Sequence, residues 1–336
     1  MAILTTSGTY TYSQSVVQLL TAALRATQVI GESETATGAQ LQNGLDAMSA
    51  MIKGWQGGGI HVWCEEECTL FLQTAQTLYS LGGSSTDNAC LTSAYVQTQL
   101  AANAAASTST ISVNSTTGIA SGNFIGIQLE AGTNFWTTVN GAPSGSNVTL
   151  AAPLPSAAVI GGFVWSYGTP LMRPLRVYGG RRLIYQPQSG TGAIETPMLM
   201  MARLDYQALP NKTTPGIVTQ FFYDPQQGEG AYTQPTGQMN VWPAPSSVEF
   251  GMRFTAQRPI QDIASLANIP DFPVEWNAAL KWNLAMELAP EYGTPTEQVS
   301  IIKDRAEHWY GLASSWDRES ESLLFGVAMA PGYRRG

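Results

Sequence analysis

Residues 111–139 read ISVNSTTGIASGNFIGIQLEAGTNFWTTV, and this stretch decides how the middle of the chain folds. Apolar side chains occupy every second position in short runs, as at Ile125, Ile127 and Leu129, and polar turn residues separate the runs. Strict alternation over a few residues indicates short antiparallel strands with one buried face. Similar runs follow at residues 148–150 and 163–167. We therefore predict an inserted small antiparallel β-barrel or sandwich at residues 107–168.

The chain around this stretch carries few charges. Glu130 is the single charged residue between Asn88 and Met172, and charged residues make up 12% of the 336 residues, about half of the usual share. We interpret the alanine-rich tract at residues 101–106 as a linker. A chain so poor in charge is expected to bury part of its surface against partners. An uncharged polar surface of Ser, Thr, Asn and Gln is the alternative explanation.

Both ends of the chain show helical periodicity. Apolar residues recur at spacings of three and four in residues 16–24, 41–55, 276–288 and 299–316. Residues 169–270 contain many prolines and most of the basic residues, which is typical of short strands and turns. The predicted fold class is therefore α+β, with a helical core formed by the N- and C-terminal helices and a β-rich middle.

These patterns predict five segments. Residues 1–100 form a helical hairpin and the first strands of the core, and residues 107–168 form the insert. Residues 169–270 form the β-rich part, residues 271–319 form the C-terminal core helices, and residues 320–336 form a flexible C-terminal arm.

Residues that most catalytic and metal sites need are scarce. His61 and His308 are the only histidines, too few for a catalytic triad or a three-histidine metal site. His61, Cys64 and Cys68 have a spacing that could suggest zinc, but in an extended segment His61 lies on the face opposite to the two cysteines. Glycine-rich nucleotide-binding motifs are absent. We expect no catalytic residue, no cofactor and no metal.

The remaining bulk properties indicate in which cellular compartment the protein is made and which partners it is not expected to bind tightly. The N-terminus lacks the basic and apolar regions of a secretory signal, and no run of 18 apolar residues predicts a membrane span. Three cysteines make no disulfide framework in a chain of this length, so reduced thiols and assembly in the cytoplasm are expected. The net charge of −8 argues against tight binding to nucleic acid.

Five sequence blocks together resemble one family, the head-to-tail adaptor and tail accessory proteins of podophages. The first block is WCEEECTLFLQTAQTLYSLG at residues 63–82, and the last is DFPVEWNAALKWNLAMELAPEYG at residues 271–293. Between them, in order, stand RPLRVYGGRR at 173–182, LDYQALPNK at 204–212, and FFYDPQ at 221–226 with VWPAP at 241–245. The insert is similar to small β-domains of several phage virion proteins.

The resemblance implies a structural subunit of the phage neck. Such subunits form a ring, expected here to have twelve copies, which docks on the portal protein, retains the packaged DNA and connects to the tail nozzle or tube. Double-stranded DNA would pass through the channel without specific binding, and an acidic wall would let it slide. Residues expected at the oligomer or portal interface are Trp63, Arg181, Arg182, Trp276, Trp309, Trp316, Tyr333, Arg334 and Arg335.

Three points stay open at this stage. Arg181 and Arg182 could contact phosphate or pair with acidic residues of a neighbouring subunit. Glu65, Glu66 and Glu67 could supply the acid of a virion-associated peptidoglycan hydrolase, although consecutive strand residues alternate between faces and therefore favour a solvated acidic patch. The insert could be a module that binds sugars or the host surface.

Overall fold

The computed structural model describes residues 12–58, 62–82, 88–185, 194–225 and 236–317. The helices are α1 (Val16–Ala26), α2 (Gly38–Gly58), α3 (Arg203–Ala208), α4 (Asn277–Leu288) and α5 (Thr296–Trp316). The strands are β1 (Glu65–Phe71), β2 (Leu78–Leu81), β3 (Ala89–Leu91), β4 (Tyr95–Gln99), β5 (Thr110–Ser112), β6 (Phe124–Gln128), β7 (Asn134–Thr138), β8 (Asn147–Thr149), β9 (Phe163–Tyr167), β10 (Arg176–Ile184), β11 (Ile194–Met200), β12 (Pro215–Gly216), β13 (Gln220–Asp224), β14 (Gly237–Trp242), β15 (Ala244–Pro245) and β16 (Phe250–Gln257). The fold class is mixed α+β, as predicted.

The chain divides into two compact units. A helical unit contains the residues up to Trp63 together with those from Ile260 onward, and a β unit contains Cys64–Pro259. None of the helices that the structure describes has the length and apolar composition needed to cross a bilayer.

In the helical unit, α4 is the central helix and contacts α1, α2 and α5. Its apolar side chains repeat every four residues, so Leu280, Leu284 and Leu288 are all fully buried. α1 and α2 approach closely at Gly44, where a Cβ atom would lie 2.8 Å from the Leu20 side chain. Gln298 in α5 donates to the carbonyl of Ala26 over 2.9 Å, which ties the start of α5 to the end of α1.

In the β unit, eight strands form a nearly closed, barrel-like sheet in the order β2-β14-β13-β11-β10-β16-β1-β3. We call it the large barrel. All neighbouring strands are antiparallel except β11 and β13, which pair in parallel over two residues. One face of the sheet holds the apolar core, whose fully buried members include Leu70, Leu72, Tyr79, Phe221, Met239, Val241 and Met252. The opposite face of β1, β10 and β16 carries the charged and aromatic side chains described below.

The insert is a second, smaller barrel. Its strands form the sheets β4-β9-β6-β7 and β5-β8, and single bridges at Leu100–Val113 and Val139–Leu150 join the two sheets into a closed circuit. We call it the insert barrel. Its core is almost purely aliphatic, with Ile111, Val113, Ile125, Ile127, Val148 and Val164 at 0 or 1% exposure.

Two predictions about the insert, its first residue and the linker before it, differ from the structure. β4 pairs with β9 along its whole length, so the insert barrel begins at Tyr95 and not at residue 107. The alanine tract is not a linker, because Ala104 forms a bridge to Ala158 with backbone bonds of 2.9 Å in both directions. Alanine-rich composition misled the prediction because these residues contribute backbone hydrogen bonds and little side-chain pattern.

Candidate functional site

Three of the predicted interface tryptophans belong to one aromatic cluster of the helical unit. Trp63 lies 5.2 Å from Trp276 between ring centroids, and Trp309 packs against the same group. Trp276 is 1% exposed. A side chain buried inside its own unit leaves no surface for a partner, so the expectation that Trp276 lies at an interface is wrong. It is a core residue because it stands directly before α4, the helix that contacts α1, α2 and α5.

Trp63 and Trp309 are partly buried. The indole nitrogen of Trp63 donates to the carbonyl of Asp271 over 3.3 Å, which ties the end of the N-terminal part of the helical unit to the segment before α4. Both rings therefore stabilise the helical unit, and each retains an exposed part.

Arg181 lies in a cluster of four charged residues on the outer face of the large barrel, which we call the charged cluster. Its members are Arg181 on β10, Arg253 on β16, Glu67 on β1 and Glu195 on β11. Arg181 pairs with Glu67, and its Nε lies 2.9 Å from a Glu195 oxygen. Arg253 pairs with Glu195 and lies 3.8 Å from Glu67. The two cations and two anions neutralise one another within a single chain.

This geometry answers two questions that the sequence left open. Arg181 finds its carboxylates within its own subunit, on the neighbouring strand β11 and on β1, one strand beyond β16, so no neighbouring subunit is needed to neutralise it. Glu66 points to the other side of β1 and lies 3.0 Å from Arg258. Glu66 and Glu67 are thus engaged with arginines, and they are not a free pair of carboxylates flanking an open cleft.

Arg182 points to the side of β10 opposite to Arg181. Its guanidinium donates to the carbonyl of Val218 over 3.3 Å and to the hydroxyl of Thr196 over 3.4 Å, and it lies 5.9 Å from the Phe250 ring centroid. None of the residues that the structure describes offers it a carboxylate. Arg182 therefore holds a positive charge that neutral groups solvate.

The remaining predicted interface residues cannot be placed. The backbone of Trp316 ends α5, but its side chain lies outside the described residues, as do Tyr333, Arg334 and Arg335. His61 also lies outside them.

The cysteines behave as small apolar residues. Cys64, Cys68 and Cys90 are free and buried. Burial raises the pKa of the Cys90 thiol to about 12, and burial together with the nearby Glu66 raises that of Cys68 even further. Thiols held in the neutral form are poor nucleophiles and poor metal ligands. Over the described part of the chain, no group of three or more His, Cys, Asp or Glu side chains could hold a metal ion.

Sequence reasoning missed the joint between the two barrels. Phe71 of the large barrel is surrounded by Trp136, Trp165 and Tyr167 of the insert barrel, with ring centroids 5.2 to 6.1 Å away. Tyr185, which directly follows β10, packs against Trp165 in a tilted arrangement with ring centroids 5.1 Å apart. We call this group the aromatic joint. Aromatic residues in the strands were visible in the sequence, but nothing in it told which sheet each one would face.

Gln73 adds a polar clamp beside the aromatic joint. Its amide oxygen accepts from the backbone nitrogen of Asn134 over 2.9 Å, and its amide nitrogen donates to the Asn134 carbonyl over 3.0 Å. A single side chain thus satisfies both backbone groups of one residue, as a neighbouring strand would. The hydroxyl of Thr74 donates to the Gly132 carbonyl over 2.8 Å. These contacts fix the insert barrel to the large barrel, so the insert barrel is not joined to it by a flexible linker alone.

The five blocks that carry the family resemblance contact one another. Glu67 of the first block pairs with Arg181 of the second, and Trp63 of the first packs on Trp276 of the last. The hydroxyl of Tyr223 in the fourth block donates to the carbonyl of Pro174 in the second over 2.5 Å. The indole nitrogen of Trp242, also in the fourth block, donates to the carbonyl of Asn211 in the third over 3.0 Å. Segments far apart in the sequence therefore meet through residues of the blocks themselves.

Comparisons with models of known protein families, with curated proteins and with solved structures find no significant match to this chain.

Proposed function

We propose that this chain is a structural, non-enzymatic head-to-tail adaptor of a tailed bacteriophage. In this role, copies of the chain form a ring, of twelve subunits by resemblance, that docks on the portal, retains packaged DNA and connects to the tail nozzle or tube. The protein would belong to the neck region of the virion.

The observation that carries this proposal is the contact between the resemblance blocks. The blocks contribute residues to β1, β2, β10, β13, β14 and α4, and they meet through ion pairs, ring contacts and hydrogen bonds. These contacts support the proposal that the blocks act together as the adaptor framework, with the insert barrel as an addition to it. The low charge content supports the same role, because faces shared between subunits tolerate few unpaired charges.

The alternatives receive less support. A hydrolase would need a carboxylic acid and a second carboxylate at an open cleft, but Glu66 and Glu67 lie against arginines. A sugar-binding module usually offers an exposed aromatic ring, since apolar ring faces stack on sugars. Residues 95–167 are all described, and their exposed large apolar side chains are Val159 and Ile160, with no aromatic ring.

The test uses phage particles made without this chain. We expect heads that lose packaged DNA and carry no tails, and we expect the chain supplied in trans to restore both. Negative-stain images of the purified protein with the portal of the same phage should show a ring seated on the portal. Particles that retain DNA and attach complete tails in the absence of the chain would refute the proposal.

A further inference from the structure

The chain between β7 and β8 contains an asparagine followed by a glycine. We call residues 140–146 the β7–β8 loop. Asn140 and Gly141 are both exposed, and Gly141 has a φ of +83°, in the left-handed region that favours glycine. With the residues that the structure describes, the Gly141 backbone nitrogen and the Asn140 side chain make no hydrogen bond. Nothing in this part of the fold therefore keeps the two groups from meeting.

An Asn-Gly pair of this kind can lose the asparagine amide without an enzyme. The glycine nitrogen gives its proton to solvent and attacks the asparagine Cγ, so a new N–C bond forms, the Cγ–amide bond breaks and ammonia leaves. Water then opens the resulting succinimide ring. Opening at the side-chain carbonyl gives aspartate, and opening at the main-chain carbonyl gives isoaspartate, in which the main chain runs through Cβ and Cγ. Glycine favours the attack because it has no Cβ to hinder the approach.

The sequence contains one other Asn-Gly pair, Asn43-Gly44, in a setting that opposes this reaction. Both residues lie inside α2, so the Gly44 N–H is engaged in the helical hydrogen-bond ladder and the backbone torsions of Asn43 are fixed. Gly44 also packs against Leu20 of α1. Asn43 is exposed, as Asn140 is, so access to solvent does not separate the two pairs. The difference between them is the freedom of the backbone.

The ends of the β7–β8 loop hold the insert barrel closed. The Asn140 N–H donates to the Thr149 carbonyl over 2.8 Å, next to the Val139–Leu150 bridge that joins the two sheets. At the other end of the loop, the Val113 N–H donates to the Ser146 carbonyl over 2.8 Å. A short loop that is anchored at both ends has little slack to absorb an extra backbone atom.

We propose that Asn140 is a site of spontaneous deamidation and that its isoaspartate product weakens the closure of the insert barrel. Both products add a negative charge to a barrel in which Glu130 is the one charged residue of positions 95–167. Isoaspartate also lengthens the main chain by one carbon, directly after the Val139–Leu150 bridge. The reaction consumes only water, so the inference does not depend on the adaptor role.

The test compares the two Asn-Gly pairs in the full-length protein. Folded protein and protein unfolded in guanidinium chloride are incubated at mildly alkaline pH, and peptide mapping by mass spectrometry follows the loss of each amide. A methyltransferase that modifies isoaspartyl carboxylates with S-adenosylmethionine identifies the isoaspartate. We expect Asn140 to convert at least about tenfold faster than Asn43 in the folded protein. The two rates should converge in the unfolded protein, because α2 is then lost.

Two substitutions separate the modification from its effect on the barrel. Asn140→Gln is the test variant, because the longer side chain forms the corresponding ring far more slowly, and Asn43→Gln is the matched control at an exposed position. After incubation, hydrogen exchange should rise in the peptides that contain Val139 and Leu150, in the wild type and in Asn43→Gln but not in Asn140→Gln.

Two results would overturn the modification site, namely an intact Asn140 after incubation and equal rates at the two asparagines in the folded protein. If Asn140 converts to isoaspartate and exchange around the bridge stays unchanged, the proposed effect on barrel closure is wrong.

Discussion

The two barrels of the β unit are built from the same kind of antiparallel pairing but are stabilised differently. The insert barrel has an aliphatic core and, over residues 95–167, one charged residue, Glu130. The large barrel carries the charged cluster on its outer face and mixes aromatic, methionine and thiol side chains in its core. The insert barrel closes around its own core, whereas the large barrel needs cover from outside. The aromatic joint provides this cover, because aromatic side chains of the insert barrel pack against the outer face of the large barrel.

Disrupting the aromatic joint should cause the largest loss of stability. Trp165→Ala removes a fully buried ring from between Phe71 and Tyr185 and should lower the free energy of unfolding by about 3–5 kcal/mol. Both barrels should be destabilised together, which hydrogen exchange followed by mass spectrometry can resolve. Ile127→Ala, in the core of the insert barrel alone, is the control and should cost about 2–5 kcal/mol, mainly in that barrel. Exchange that rises in the insert barrel alone for Trp165→Ala would show that the large barrel does not depend on this cover.

The polar clamp should give the next effect. Gln73→Ala removes two hydrogen bonds to the backbone of Asn134 and should cost about 1–3 kcal/mol in urea denaturation. Gln97→Ala, an exposed glutamine of β4, is the matched control and should be nearly neutral. Equal effects at the two positions would contradict a special role for Gln73.

Alkaline pH should lower the stability of the large barrel, because it contains buried thiols. The folded state keeps Cys90 neutral up to a pKa of about 12, while the unfolded thiol ionises near 9.0. The unfolded state therefore binds fewer protons above pH 9, so this contribution to stability is full below pH 9 and is lost as pH rises toward 12. We expect Cys90→Ala to reduce the slope of unfolding free energy against pH in that window by up to about 1.4 kcal/mol per pH unit. An unchanged slope would mean that Cys90 ionises in the native state as readily as in the unfolded chain.

The charged cluster should give the smallest effect. Glu67→Gln leaves Arg181 with Glu195 alone and should cost about 0.5–1 kcal/mol, since Glu67 is 43% exposed and water screens the pair. The loss should shrink at high salt. Glu130→Gln, which alters the one charge of the insert barrel, should change stability less. A larger loss for Glu130→Gln than for Glu67→Gln would reverse the contrast between the barrels.

The sequence predicted local structure well where one periodicity persisted. The insert strands were visible because Ile125, Ile127 and Leu129 alternate between turns, and alternation is enough to fix which side is buried. α4 was visible from leucines at every fourth position. The sequence indicated only half of the charged cluster. Arg181 and the glutamates at residues 65–67 formed recognisable local patterns, whereas Glu195 and Arg253 did not.

The sequence by itself determined the α+β class, the insert and the scarcity of catalytic side chains, because periodicity and composition are properties of neighbouring residues. Only the tertiary structure decided that Trp276 is core, that Arg181 is neutralised within its own chain, and that Phe71 and Gln73 hold the two barrels together. Those outcomes depend on pairing between strands that are distant in the sequence, such as β1 with β16 and β10 with β16. The register of a pairing sets which side chains meet, and no single segment encodes it.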